Sequence, residues 1–320
     1  MAERHGFQPI ILIGKEATYA VGTTDPTIKL FCDFVAVDGD EEVAIPQKTT
    51  FAYPLNNENH KGRSAPKVTL SGVLNDNMSF LLTAITDTAS TPFIWELTGV
   101  APVNASYAIW QCFPASSSDP GDGVECLGCV LETITFSKSG DYIAFNAVFR
   151  AKSIDREADL NALDETAITT PASSATTAYI APTPFLWHSV TCSLMSASIT
   201  AMDDFTLTFT NEFPDDDAVW QNSQTKASDV PCFRTGQLSC TTIYDTVHDA
   251  KIFDFILGTA DIYDHVISFI NTNATWAFTM KGQYVEPYDL PDIAKCKYRS
   301  TWNVRLCGDA DEVPLSIALS

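Results

Sequence analysis

Phe205-Thr206-Leu207-Thr208-Phe209-Thr210 alternates large apolar residues with threonines. A period of two puts the apolar side chains on one face and the hydroxyls on the other, the pattern of a half-buried β-strand. The same periodicity appears earlier in the chain. Residues 131–136 and 142–149 flank Ser139-Gly140-Asp141, which reads as a hairpin. On its second arm Ile143, Phe145, Ala147 and Phe149 share one face. The opposite face, Tyr142, Ala144, Asn146 and Val148, is also fairly apolar, so a second sheet or a neighbouring subunit is expected to cover it. Tyr298, Trp302, Val304 and Leu306 mark a further strand, interrupted at Ser300.

Helical spacing is rarer. Met78, Leu81, Leu82 and Ile85 predict a helix over 77–86, capped by Asp76 or Asn77. Ile252, Phe253, Ile256 and Leu257 predict another over 249–257, with Gly258 suited to a left-handed C-cap. Residues 262–270 read as helix or strand, and 155–163 as a short polar helix. The clearest linker is 169–184, rich in Ala, Ser, Thr and Pro and free of charge. It separates a first β unit, 1–168, from a second, 185–320. Each half runs from a strand (ending Leu70-Ser71-Gly72 or Leu238-Ser239-Cys240) into a predicted helix and then a β-rich segment. The expected architecture is mainly β: two tandem sandwich or barrel domains, each with a flanking helix.

The 320 residues hold 19 Lys and Arg against 40 Asp and Glu, a formal net charge of −21. The length suits roughly two domains of ~150 residues, enough to bury a core without a metal or disulfide staple. A hydrophobic content of 45% excludes intrinsic disorder. The acidity excludes nonspecific gripping of nucleic-acid phosphates over most of the surface, since that needs Lys and Arg. No apolar run approaches the ~20 residues of a membrane helix, and Pro9-Ile10-Ile11-Leu12-Ile13 is too short for a signal-peptide core, so folding in a cytoplasm is expected. Nine scattered cysteines, an odd count, argue against a closed disulfide framework.

Catalytic and metal-binding patterns are scarce. Gly14-Lys15 lacks the spacing of a phosphate-binding loop, and no Gly-x-Ser-x-Gly elbow occurs. Asp87-Thr88-Ala89 matches the short tripeptide of aspartic proteases but falls at the end of a predicted helix. Cys126-Leu127-Gly128-Cys129 has zinc-pair spacing without a second pair, so buried thiols are the expectation. The acidic runs at 215–217 and 309–312 lack the alternating ligands of a calcium loop. The chain is expected to be no enzyme and to hold no cofactor or metal.

The placement of positive charge says more. No Lys or Arg occurs between Lys67 and Lys138, or between Arg156 and Lys226. Surfaces built from those stretches must be neutral or negative, fit for a subunit interface or a wall that repels DNA. A long irregular stretch, 38–67, starts with Asp38, Asp40, Glu41 and Glu42 and ends with His60, Lys61, Arg63 and Lys67. Loops of this length commonly bind something, and opposite charges at its two ends suit contact with an identical copy.

The order of these features resembles the tail tube proteins of long-tailed bacteriophages, in their two-domain form. Ile13-Gly14-Lys15-Glu16-Ala17-Thr18-Tyr19-Ala20 resembles an "I-G-x-E-x-T-Y-G" opening, with Ala20 departing from it. Residues 128–149 resemble the family's strand and hairpin, and 184–211 the start of its second domain. Arg234-Thr235-Gly236-Gln237-Leu238 resembles its "R-x-x-G-x-l" strand with the Gly one place early. The resemblance implies trimeric pseudo-hexameric or hexameric rings of this chain that stack into a tube. It also implies a virion tail assembled in the host cytoplasm, with tape measure, terminator and tail-tip proteins as neighbours. Phage DNA would pass through an acidic lumen without specific binding, and no membrane is involved. In this reading 38–67 contacts the next ring, and Thr133, Thr135, Thr206, Thr208 and Thr210 face the lumen. The alternatives are a neck or terminator component, a capsid decoration protein, or a carbohydrate-binding adhesin stacking sugars on Trp187, Trp220, Trp276 and Trp302.

Overall fold

In a computed structural model the hairpin at 131–149 forms the centre of the molecule. The structure describes residues 10–30, 32–37, 66–88, 90–95, 105–112, 122–160, 163, 182–199, 201–213, 233–243, 262–284, 292–294, 297–307 and 313–320. The strands of the first half are β1 (Ile10–Lys15), β2 (Ile28–Leu30), β3 (Asp33–Val37), β4 (Lys67–Val73), β5 (Phe93–Ile94), β6 (Tyr107–Cys112), β7 (Asp122–Ser139), β8 (Tyr142–Arg150) and β9 (Ser153–Asp159). One helix, α1 (Phe80–Thr86), lies between β4 and β5. The second half adds β10 (Thr191–Leu194), β11 (Ala197–Ile199), β12 (Met202–Glu212), β13 (Phe233–Ile243), β14 (Tyr263–Ile270), β15 (Thr275–Tyr284), β16 (Asp292–Ala294), β17 (Lys297–Leu306) and β18 (Leu315–Leu319). The protein is mainly β, and every strand pairing among the described residues is antiparallel.

The principal sheet runs β3-β4-β8-β7-β12-β13-β17. At its end β17 meets β15, which carries β14, β10 and β11 on one side and β18 and β5 on the other. β7 is long enough to serve two sheets. Its first part joins β6 and β9 in a smaller sheet, β2-β1-β6-β7-β9, and its second part joins β8 and β12. The bend falls at Gly128, which adopts φ +65°.

The alternation in β12 resolves as the sequence predicts: Phe205, Leu207 and Phe209 are buried. They pack face to face against β14 and β15. Phe136 lies 5.7 Å from both Phe269 and Phe278, Phe209 lies 6.0 Å from Phe278, and Phe205 lies 5.6 Å from Phe269. Burying each such ring is worth roughly 1.5–3 kcal/mol relative to exposure. One core cluster therefore draws on both halves, and so does the sheet, through β7–β12 and β5–β18. Most of 169–184 lies outside the described residues. Where the chain re-emerges it is docked: the Phe185 amide donates to the Leu74 carbonyl, and the Ile143 amide donates to the Phe185 carbonyl.

α1 buries Leu81, Leu82 and Ile85, as its spacing requires. The cap is one residue earlier than expected. Asn75 caps a 3₁₀ turn at Asp76–Met78 by accepting from the Asn77 amide, and α1 follows it. The helix expected over 249–257 lies outside the described residues. Of residues 262–270, Tyr263–Ile270 prove to be strand. The expected polar helix over 155–163 is corrected: Ser153–Asp159 is β9, zipped onto the overhang of β7 from Asp122 to Leu127. Its residues have little apolar surface to hold a helix against the core, whereas the overhang offers a row of unpaired amides.

Candidate functional site

The two Thr-rich strand faces singled out in the sequence come from different halves, yet they lie side by side. β7 and β12 are neighbours, with Thr133 opposite Thr210 and Thr135 opposite Thr208. The hydroxyl oxygens approach to 3.5 Å in the first pair and 3.2 Å in the second. Thr206 faces Ser137. Thr–Thr pairs across a ladder stabilise by roughly 0.2–1 kcal/mol each.

This ladder is the middle of a wider face, opposite the aromatic core. Register carries one row through Thr69, Val148, Thr133, Thr210 and Thr235. The next passes through Ser71, Asn146, Thr135, Thr208 and Gln237, and a third through Val73, Ala144, Ser137, Thr206, Ser239 and Asn303. Their side chains are half-buried or exposed, and none is ionisable. Charge appears away from the centre. Asp204 and Glu212 lie towards the two ends of β12 on this face, Asp33 begins the second row, and beyond Gln237 that row passes through Arg305 of β17 to Gln283 of β15. The acidic side chains named here thus lie towards the rim of this face. Alternation makes Thr69, Ser71, Thr235, Gln237 and Ser239 legible as an outward polar series. Sequence reasoning missed them because only pairing aligns them with the threonines.

At one border sits an ion cluster. Lys67, which opens β4, pairs with Glu132 Oε2 at 2.8 Å, while Arg150 Nε donates to Oε1 at 3.1 Å. Burial pushes the Glu132 carboxyl up, but its bonds and attraction to Lys67 and Arg150 outweigh this and hold it below the usual carboxylate range. The Arg150 guanidinium also lies 4.7 Å from the Phe213 ring centroid. Lys67 is therefore engaged within the chain. Asp38, Asp40, Glu41, Glu42, His60, Lys61 and Arg63 lie outside the described residues.

The opening motif has a clear structural role. Buried Glu16 accepts from the Ala20 amide through Oε2 at 2.9 Å and from the Gly128 amide through Oε1 at 3.1 Å. It closes the turn after β1 and ties that turn to the bend in β7. Ala20 takes φ +53°, the left-handed conformation that glycine tolerates best, at the position where the resembled pattern carries Gly.

Asp87 has no second carboxylate beside it in any described contact. It ends α1 in the left-handed conformation, accepts from the Ala105 amide at 2.9 Å, and pairs with Arg234 of β13. Burial raises its carboxyl, with Arg234 and the Ala105 amide pulling the other way. The residue is a half-buried tie between α1 and β13. Cys126 and Cys129 are buried, and burial pushes the Cys129 thiol well above its ordinary value, an inert setting for nucleophilic chemistry. Among the described residues no group of three His, Cys, Asp or Glu is placed to hold a metal ion. Nor is any helix among them long and apolar enough to cross a membrane.

The tryptophans offered as sugar platforms are occupied. Trp276 and Trp302 are buried, and Trp187 stacks on Phe205 with centroids 5.6 Å apart while Lys138 Nζ lies 4.7 Å from its centroid. Trp220 lies outside the described residues. No family model matches this chain, and no curated protein matches it in sequence.

Proposed function

We propose that this chain is a structural subunit that assembles with copies of itself into stacked rings, a tail tube of the kind its sequence resembles, with the uncharged Ser/Thr face lining the channel. One observation carries the reading: the face spans β4, β8, β7, β12 and β13 and crosses both halves without an ionisable side chain in its three central rows. A polyanion binds where Lys and Arg release its counterions. A wall of hydroxyl, amide and small apolar groups has no such cations, so phosphates slide past it. The net charge of −21 adds weak repulsion from the rest of the surface. Hydroxyls satisfied by neighbouring hydroxyls, as in Thr135–Thr208, also have less capacity left to hold a passing strand.

Electron microscopy of the purified protein tests this. Stacked rings with a central channel are the expected result. Isolated closed rings would favour a neck component, and a persistent monomer would sink the reading.

A further inference from the structure

The bend of β7 carries two thiols that an irregularity in the strand brings together. Residues three apart on a regular strand point to opposite faces. Here one extra residue is inserted. Tyr107 of β6 lies opposite Cys129 and Ile109 opposite Cys126, so three steps of β7 match two steps of β6. Both cysteines therefore enter the same core cluster. Two strand steps set their Cα atoms about 6.6 Å apart, within the roughly 4.4–6.8 Å that a disulfide bridges. The Cys129 thiol folds back over the bulge and donates to the Cys126 carbonyl, with Sγ 3.5 Å from the oxygen.

A turn covers the pair. Both cysteines are fully buried, and residues 16–22 rest directly on the bulge. A Cβ on Gly128 would lie 2.8 Å from the Ala20 Cβ and 3.3 Å from the Tyr19 ring, and one on Gly22 would lie 3.3 Å from a Leu127 methyl. The Glu16 carboxylate fastens this cover by accepting from the Ala20 and Gly128 amides together. Ala17, Thr18 and Val21 are exposed, so the turn buries little surface of its own. Segments of that kind open at low free energy without the rest of the fold.

We propose that Cys126 and Cys129 form a gated dithiol site for low-molecular-weight disulfides, with the 16–22 turn as its cover and the Glu16 carboxylate as its latch. Closed, the pair is shielded. When the turn lifts, one cysteine gives its proton to water, and its thiolate attacks a sulfur of the small disulfide. That S–S bond breaks as a new one forms to the cysteine, and one small thiolate leaves and takes up a proton. The second cysteine loses its proton in turn, attacks the protein-side sulfur of the mixed disulfide and expels the other small thiol. The two cysteines are oxidised by two electrons, and the small disulfide is reduced to two thiols. The product clamps the bend at which β7 passes from one sheet to the other.

Oxidised glutathione is the probe. The folded protein is incubated with it, remaining thiols are alkylated, and the cysteines are mapped by mass spectrometry over time. A Cys126–Cys129 link should form before Cys192 and Cys240 react, since those two are also buried and report opening of the second half. Cys126→Ser should stop at a mixed disulfide on Cys129. Glu16→Gln sets an NH2 group where one amide needs an acceptor. It should form the link at least ~tenfold faster, because losing a charge-assisted bond favours opening, with Cys192 and Cys240 unchanged. A link still absent from both proteins once Cys192 and Cys240 have begun to react would overturn the site. A Glu16→Gln variant that forms the link no faster, or in which all four cysteines speed up together, would overturn the latch.

Discussion

At the scale of single residues, the turn that follows β1 is held by one carboxylate and two left-handed positions. Glu16 reaches both the Ala20 and Gly128 amides, and its oxygens replace backbone partners that neither amide finds in a ladder. A left-handed L-residue costs about 1–2 kcal/mol, and glycine gives back roughly 0.5–1 kcal/mol in unfolded-chain entropy. Ala20→Gly should therefore stabilise the protein by about 0.5–1 kcal/mol. Gly128→Ala meets the opposite balance. Its new Cβ would lie 2.8 Å from the Ala20 Cβ and 2.9 Å from the Lys152 Cβ, on a backbone already at φ +65°. We expect a loss of roughly 2–4 kcal/mol, combining backbone strain with overpacking. Urea midpoints of the two variants read both signs, and an undiminished midpoint for Gly128→Ala would remove the bend from the account. The glycine itself is visible in the sequence, but its need for a positive φ comes from a contact 112 residues away, between Glu16 and Gly128.

Among the elements, β14 and the β10–β11 turn meet through a buried histidine. His265 in β14 accepts from the Met195 amide through Nδ1, and it is fully buried. Burial lowers it to about 4, against weaker upward pulls from the Gly282 backbone and Asp264. The folded state thus resists a proton that the unfolded chain takes up near its ordinary value of 6.5. Stability is complete above pH 6.5 and falls as pH drops from there toward 4, by on the order of 3 kcal/mol across the window. His265→Gln should flatten the pH 7 to 5 slope of the unfolding free energy, measured in urea; an unchanged slope would assign that titration elsewhere. The signal over 262–270 reads as helix or strand in the sequence because alternation and helical spacing coincide in so short a run. Pairing with β10 and β15 on either side decides it.

For the whole molecule, the decisive contact is β7 against β12. It continues one sheet across both halves and sets Phe136 against Phe269 and Phe278. β5 adds a first-half strand to β18 at the other end, and the Trp95 amide donates to the Leu315 carbonyl. A chain that shares its core this way should unfold as one unit. Calorimetry of the full protein should give a single transition, and the fragment 185–320 alone should fail to fold, with Phe205, Phe209, Phe269 and Phe278 lacking the ring of Phe136. Two resolved transitions, or a folded fragment, would show that the halves are independent.

The sequence by itself determined the β class, the 131–149 hairpin, the 205–210 strand with its apolar and hydroxyl faces, and the segment that became α1. These follow from local periodicity and turn chemistry, which act within a few residues. It also determined that two long stretches carry no cation, whatever their fold. Only the tertiary structure decided that Thr133 and Thr135 stand beside Thr208 and Thr210, and that residues 153–159 join the overhang of β7 as strand. Strand partners 70 or more residues apart are selected by how the buried faces fit. That fit depends on the whole core at once and leaves no mark in any short window of sequence.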